Sequence, residues 1–116
     1  MNYTGEAVAQ PRTFDEEIAS LPSRLNEVIN RWVIACPDQT ALIDHSQSIT
    51  YRQLHDLITE TSRWLAEIGI RPGDRIMVVS ENCISAIVLL LGAGSIDAWT
   101  IVVNPRLSSR EIEQIL

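Results

Sequence analysis

The chain has 116 residues, a length that supports one hydrophobic core and leaves no room for a second domain. Nine arginines and no lysine stand against fifteen acids, giving a net charge of −6, and no basic stripe follows any helical repeat, which argues against nucleic acid or an anionic membrane as the main partner. The missing lysine also excludes Schiff-base chemistry and a P-loop lysine within these residues.

Residues 1–22 mix Gly, Pro, Thr and acids and read as a mobile leader, with a short helical turn near Phe14 to Ile18. They hold no continuous apolar stretch of the kind a secretory signal needs. Cys36 and Cys83 lie far apart, in no metal or disulfide spacing, so two free thiols and a cytoplasmic location are expected. Ser23 is a candidate N-cap for an amphipathic helix over Arg24 to Ala35, where Leu25, Val28, Ile29, Trp32 and Val33 recur at helical spacing and Pro37 sets the end.

A hairpin follows, Thr40 to Asp44 against Ser48 to Thr50, across the polar turn His45-Ser46-Gln47. Thr50 with Gln53 forms a capping box for a helix that carries Leu54, Leu57, Ile58, Thr61, Trp64, Leu65 and Ile68 on one face. Gly69 suits the left-handed position after its end.

Arg75 to Ser80 is a β-branched run without alternation, the mark of a strand covered on both faces. The segment Cys83 to Ile96 is apolar on every side of a helical projection, which predicts a helix buried nearly all round. Its apolar run, Ala86 to Gly94, is about half of the ~20 residues needed to cross a bilayer, so no membrane span is expected. Trp99 to Val103 is a second strand, stopped by Asn104-Pro105. The three form a parallel βαβ unit, and the fold class is α/β: a partial parallel sheet with a central βαβ unit, a small hairpin and flanking amphipathic helices. Ser108 with Glu111 caps a last helix of about two turns, so residues 23–116 read as the beginning of something longer.

Ser80, Glu81 and Asn82 sit at the carboxyl end of a parallel strand, where open α/β sheets bind ligands. The ordinary explanation is that Ser80 or Asn82 caps the next helix and Glu81 complements its dipole. Gly92-Ala93-Gly94 lacks the third glycine of a dinucleotide loop and falls at a helix end, so close packing of the helix against the sheet accounts for it. His45 and His55 have no ligand spacing, and GxSxG is missing. Trp32, Trp64 and Trp99 read as core anchors, since no basic residues interleave with them. No catalytic, cofactor-binding or metal residue is assigned in this chain.

Three stretches together resemble one family. Ala41-Leu42-Ile43-Asp44 followed by Ile49-Thr50-Tyr51-Arg52-Gln53-Leu54 is the first; Gly69-Ile70-Arg71-Pro72-Gly73-Asp74-Arg75 with Ser80-Glu81-Asn82 is the second; Leu91-Gly92-Ala93, Ala98-Trp99 and Asn104-Pro105-Arg106-Leu107-Ser108 form the third. Their order and spacing are similar to the amino-terminal portion of the AMP-forming acyl-CoA synthetases, members of the adenylate-forming (AMP-binding) ligases. Ile96-Asp97 departs from the pattern, which has Ala-Gly there; Asp tolerates left-handed geometry less well than glycine, so that turn is expected to be strained or altered.

The resemblance implies a two-step reaction. A carboxylate, here a fatty acid by expectation, attacks the α-phosphate of ATP to give an acyl-adenylate and pyrophosphate, and the thiolate of coenzyme A then displaces AMP. ATP, Mg²⁺ and coenzyme A are thus implied for an intact parent enzyme. The family's phosphate loop, its metal-binding pair and its two lysines match no position here, so this segment is expected to be inactive alone, to have the remainder of the same polypeptide as its partner, and to self-associate when isolated. A complete small interaction module of receiver-like or flavodoxin-like type is the alternative reading.

Overall fold

The computed structural model describes residues 11–116. Thr13 opens helix α1 (Phe14–Ser20) with a reciprocal capping box to Glu16, and no residue of α1 is buried. The short helix expected near Phe14 is therefore present; the first ten residues of the expected leader lie outside the described residues. The next segment corrects the sequence reading. Instead of one helix from Arg24, a 3₁₀ turn (Leu25–Ile29) leads into α2 (Asn30–Ala35), and Ser23 caps neither. Arg24 stands extended at the N-cap position, as N-cap residues do, and its guanidinium makes two hydrogen bonds to Asp97, of 3.0 and 2.9 Å.

β1 (Thr40–Ile43) and β2 (Ser48–Thr50) form the expected antiparallel hairpin, with a register shift between Thr40 and Leu42. Thr50 and Gln53 make both bonds of the capping box that starts α3 (Tyr51–Glu67). β3 (Arg75–Val79), α4 (Ile84–Ser95) and β4 (Trp99–Val103) are the βαβ unit, its strands parallel and in register from Arg75 beside Trp99 to Val79 beside Val103. The two sheets are separate, each of two strands. Ser108 and Glu111 form the capping box of α5 (Ser109–Ile115).

The main core lies where α4 crosses α3: Ile84, Val88 and Leu91 pack with Leu54, Ile58, Ile49 and Ile29. A second, smaller core sits at the other end of both helices and joins Leu65, Ala93 and Ala98 with Ile70 and Ile76. It is made by two helix stops of one kind. After α3, the N–H of Ile70 donates to Leu65 O and that of Gly69 to Ala66 O, with Gly69 at φ +102°. After α4, the N–H of Ala98 donates to Ala93 O and that of Asp97 to Gly94 O, with Asp97 at φ +61°. Both are Schellman stops, in which an apolar residue just past the helix packs back on its last turn.

Burial falls short of what the apolar runs predict. Ile87 of α4 is open to solvent, as are Val79 and Val102 on the sheet, so neither the helix nor the strands are covered all round. A two-stranded sheet with one crossover helix has too few neighbours to cover both faces. Trp99 is 69% exposed and Trp64 52%, which corrects their reading as core anchors. Trp32 is half-buried, stacked at 6.3 Å on Tyr51 with the Arg31 guanidinium 4.5 Å from its ring centre.

Gly92 lets α4 approach α3, whereas the sequence reading expected close packing of the helix against the sheet. A Cβ there would lie 2.9 Å from Thr61 Cγ2 and 3.1 Å from its Cβ, whereas one at Gly94 meets nothing within 4 Å. In a helix a β-branched Thr cannot rotate freely out of the way. Gly92→Ala should therefore lower the stability of the native polypeptide by about 1 kcal/mol, overpacking outweighing the gain in helix propensity. Gly94→Ala should raise it by about 0.5 kcal/mol. Urea unfolding of both variants, with Gly92→Ala/Thr61→Ser as a partial rescue, checks the opposite signs.

Candidate functional site

The carboxyl ends of β3 and β4 lie side by side, and the loops that leave them enclose a cleft of about 410 Å³. One wall is Ser80, Glu81 and Asn82, the three residues singled out in the sequence; the other is Val102, Asn104, Pro105 and Arg106. The ladder is prolonged by one bond, Ser80 N–H to Val103 O at 3.2 Å, which keeps the two loops together as they diverge. Asn104 Oδ1 accepts the N–H of Arg106 at 2.9 Å, a side-chain turn that proline at position 105 allows. Asn104-Pro105 had read as a strand stop and, with Arg106, as part of the third family stretch, and none of the three as a site residue. The signal that could have found them is the parallel pairing itself, since a crevice at a sheet edge needs the loops of both strands.

Ser80 and Asn82 do not cap α4. Its N-cap position is Cys83, which makes no side-chain cap bond. Ser80 Oγ donates instead to Glu81 O at 2.9 Å and lies 3.6 Å from Cys83 Sγ. The free N–H of Ile84 is taken by a residue of the distant hairpin: Asp44 Oδ2 accepts it at 3.0 Å. The other oxygen of the same carboxylate accepts from Ser46 N–H, Ser46 Oγ and Gln47 N–H, each at 2.9 Å, and so closes the β1–β2 turn. These bonds to the charged form, that from Ile84 first, hold Asp44 well below the usual carboxylate range.

The cleft thus presents a hydroxyl, two carboxamides, one carboxylate and one guanidinium. This is a set that can recognise and orient a ligand, and it pairs no nucleophile with a base. The other sequence candidates lie elsewhere. Gly92, Ala93 and Gly94 are inside α4, His45 is exposed in the hairpin turn, and His55 on α3 lies 3.6 Å from Asp56 at the surface. Among the described residues no three His, Cys, Asp or Glu side chains gather as metal ligands, and no helix is long and apolar enough to cross a membrane.

Residues 29–116 match the model of the AMP-binding enzyme family. The chain belongs to this family. It is 28% identical over 77% of its length to the 3-oxocholest-4-en-26-oate--CoA ligase of Rhodococcus rhodochrous, of which it covers 16%. It is 32% identical over 67% of its length to a malformin synthetase of Aspergillus niger, covering 2% of that protein. Among solved structures, a Mycobacterium tuberculosis fatty acyl CoA synthetase superposes with a TM-score of 0.75 and 25% identity, over 80% of this chain and 19% of the other. The α/β architecture with its βαβ unit is that of the amino-terminal domain of adenylate-forming enzymes, and the chain spans only a small part of the relatives' length.

Asp44 gives the site its pH dependence. Its folded value lies below its unfolded value, so its stabilisation is complete above the ordinary carboxylate range near pH ~4 and is lost as pH falls toward the folded value. Asp44→Asn, which keeps the shape but loses the charge, should lower the melting temperature of the native polypeptide at pH 7. The difference from wild type should shrink steadily on acidification below pH ~4. A gap that stayed constant through that range would remove the charge from the argument.

Proposed function

We propose that this chain is the amino-terminal structural segment of an acid–CoA ligase. The intact enzyme activates a carboxylic acid, a fatty acid in the simplest case, with ATP and passes the acyl group to coenzyme A. What carries the reading is the family match across residues 29–116. The relatives whose names state a CoA ligase activity lend support to the acceptor, while the malformin synthetase is a member with a different printed product.

The residues present do not fit ATP phosphates or Mg²⁺. Arg106 is the one cation of the cleft, the sequence has no lysine, and the described residues offer no cluster of metal ligands. The groups that hold nucleotide and metal are therefore assigned to the remainder of the same polypeptide, and no chemical step is routed through this segment. Its task is to supply one edge of the sheet and one rim of the pocket, in a soluble cytoplasmic enzyme.

ATP–pyrophosphate exchange over a panel of carboxylic acids tests the reading. The native polypeptide should exchange with at least one acid and then form its CoA thioester, whereas residues 1–116 alone should do neither. Exchange by the segment alone, or none by the native polypeptide with any acid, would overturn it.

The open faces carry a second expectation. Trp99, Val79 and Val102 are about half exposed or more on a sheet with unpaired edges, the pattern of a surface that is normally covered. Sedimentation of residues 1–116 alone should show concentration-dependent association, and a stable monomer at tens of micromolar would count against it.

A further inference from the structure

The carboxylate of Asp44 serves two elements at once. Its Oδ1 takes the donors of the hairpin turn, the N–H groups of Ser46 and Gln47 and the hydroxyl of Ser46, each at 2.9 Å, whereas Oδ2 takes the N–H of Ile84 at 3.0 Å. An ionised carboxylate only accepts, and it can do so on both oxygens. Asparagine has one accepting oxygen, and its NH₂ is a donor. An amide at position 44 keeps its oxygen where the turn donors converge and gives up the single bond to Ile84.

That single bond lies at the root of the first rim of the cleft. Asn82 lines the cleft, and with Leu42, Ile43, Asp44 and Ile87 it also lines a second hollow of about 190 Å³. The loop that carries Asn82 is thus a partition with a hollow on either side. Upstream it is fixed by the Ser80 N–H bond to Val103 O. Downstream, the Ile84 side chain is buried in the main core. Apolar packing is non-directional, so it holds that side chain without fixing the plane of the Cys83–Ile84 peptide. The hydrogen bond to Asp44 fixes the plane, and with it the direction in which the loop leaves.

We propose that Asp44 is a positioning residue for the ligand of the cleft. It does not line the cleft; by holding the Ile84 N–H it sets how Asn82 enters the wall. The assignment rests on the acid–CoA ligase reading for the identity of that ligand, which is one of the three substrates of that enzyme.

Two readouts on the full native polypeptide test it. Hydrogen exchange resolved to single amides needs no turnover. In wild type the Ile84 amide should be protected, although the first amides of a helix have no partner within it. In Asp44→Asn it should exchange at least about tenfold faster, while the amides of Ser46 and Gln47 keep their protection. An unprotected Ile84 amide in wild type, or equal loss at both places in the variant, would overturn the proposal whether or not the enzyme is a ligase. Steady-state kinetics use ATP, coenzyme A and a carboxylic acid that wild type accepts. Asp44→Asn should raise KM for one of the three at least about fivefold and leave kcat and the other two KM values within about twofold. Ser46→Ala, which weakens the hairpin turn without touching Ile84, should leave all of them unchanged. No change in any KM, or the same change in both variants, would overturn the positioning role. A wild type that turns over no acid would instead remove the ligase reading, and the exchange result would then decide.

Discussion

The two helix stops that follow α3 and α4 set the geometry of everything downstream of the hairpin. Each ends its helix by turning one residue left-handed, and each folds an apolar residue, Ile70 or Ala98, back onto the last turn at Leu65 or Ala93. Because these four residues meet in one cluster, the stops fix the helix ends against each other as well as ending them. The turns are then cross-linked, Gly73 N–H to Asp97 O at 2.9 Å and Trp99 N–H to Asp74 O at 2.7 Å, so β3 and β4 leave from a common platform already in register. A parallel pair lacks the short connection that sets register in a hairpin. Here the amino edge supplies it.

At one stop the left-handed residue is Gly69, and at the other it is Asp97, where the family pattern has glycine. A side chain there meets the steric penalty of the left-handed region, which Asp bears better than most. Its carboxylate is also held bidentate by Arg24, both side chains about half exposed. The same pair fixes the chain ahead of the 3₁₀ turn. The one departure from the family pattern thus places a side chain at the left-handed position and ties residue 24 to residue 97.

Most elements were legible because their signals are local. Capping boxes at Thr50 and Ser108, a glycine after α3 and a proline after β4 act within a few residues of themselves, and each is where the chain said it would be. What was missed is non-local. The cap of α4 comes from Asp44, forty residues upstream, while Ser80 and Asn82, the nearby candidates, face the cleft. No spacing rule connects Asp44 to Ile84, since their approach depends on how the hairpin docks on α4. The exposed Trp64 and Trp99 were misread for a related reason: hydrophobicity says that a side chain seeks cover without saying whether these residues provide it.

The Asp44 contact also explains how the cleft can have a definite shape on so small a sheet. The loop from Ser80 to Cys83 is free of its own helix cap, so without an outside acceptor its exit would be set only by the apolar packing of α4. Asp44 pins that exit to the hairpin, and Asn104 shapes the facing loop from within. The two rims are therefore held by different means, one by a distant carboxylate and one by a local turn. A cleft so arranged keeps its form at the carboxyl edge while the faces of the sheet stay open, which is the division of labour expected of a piece whose pocket is completed by another part of the enzyme.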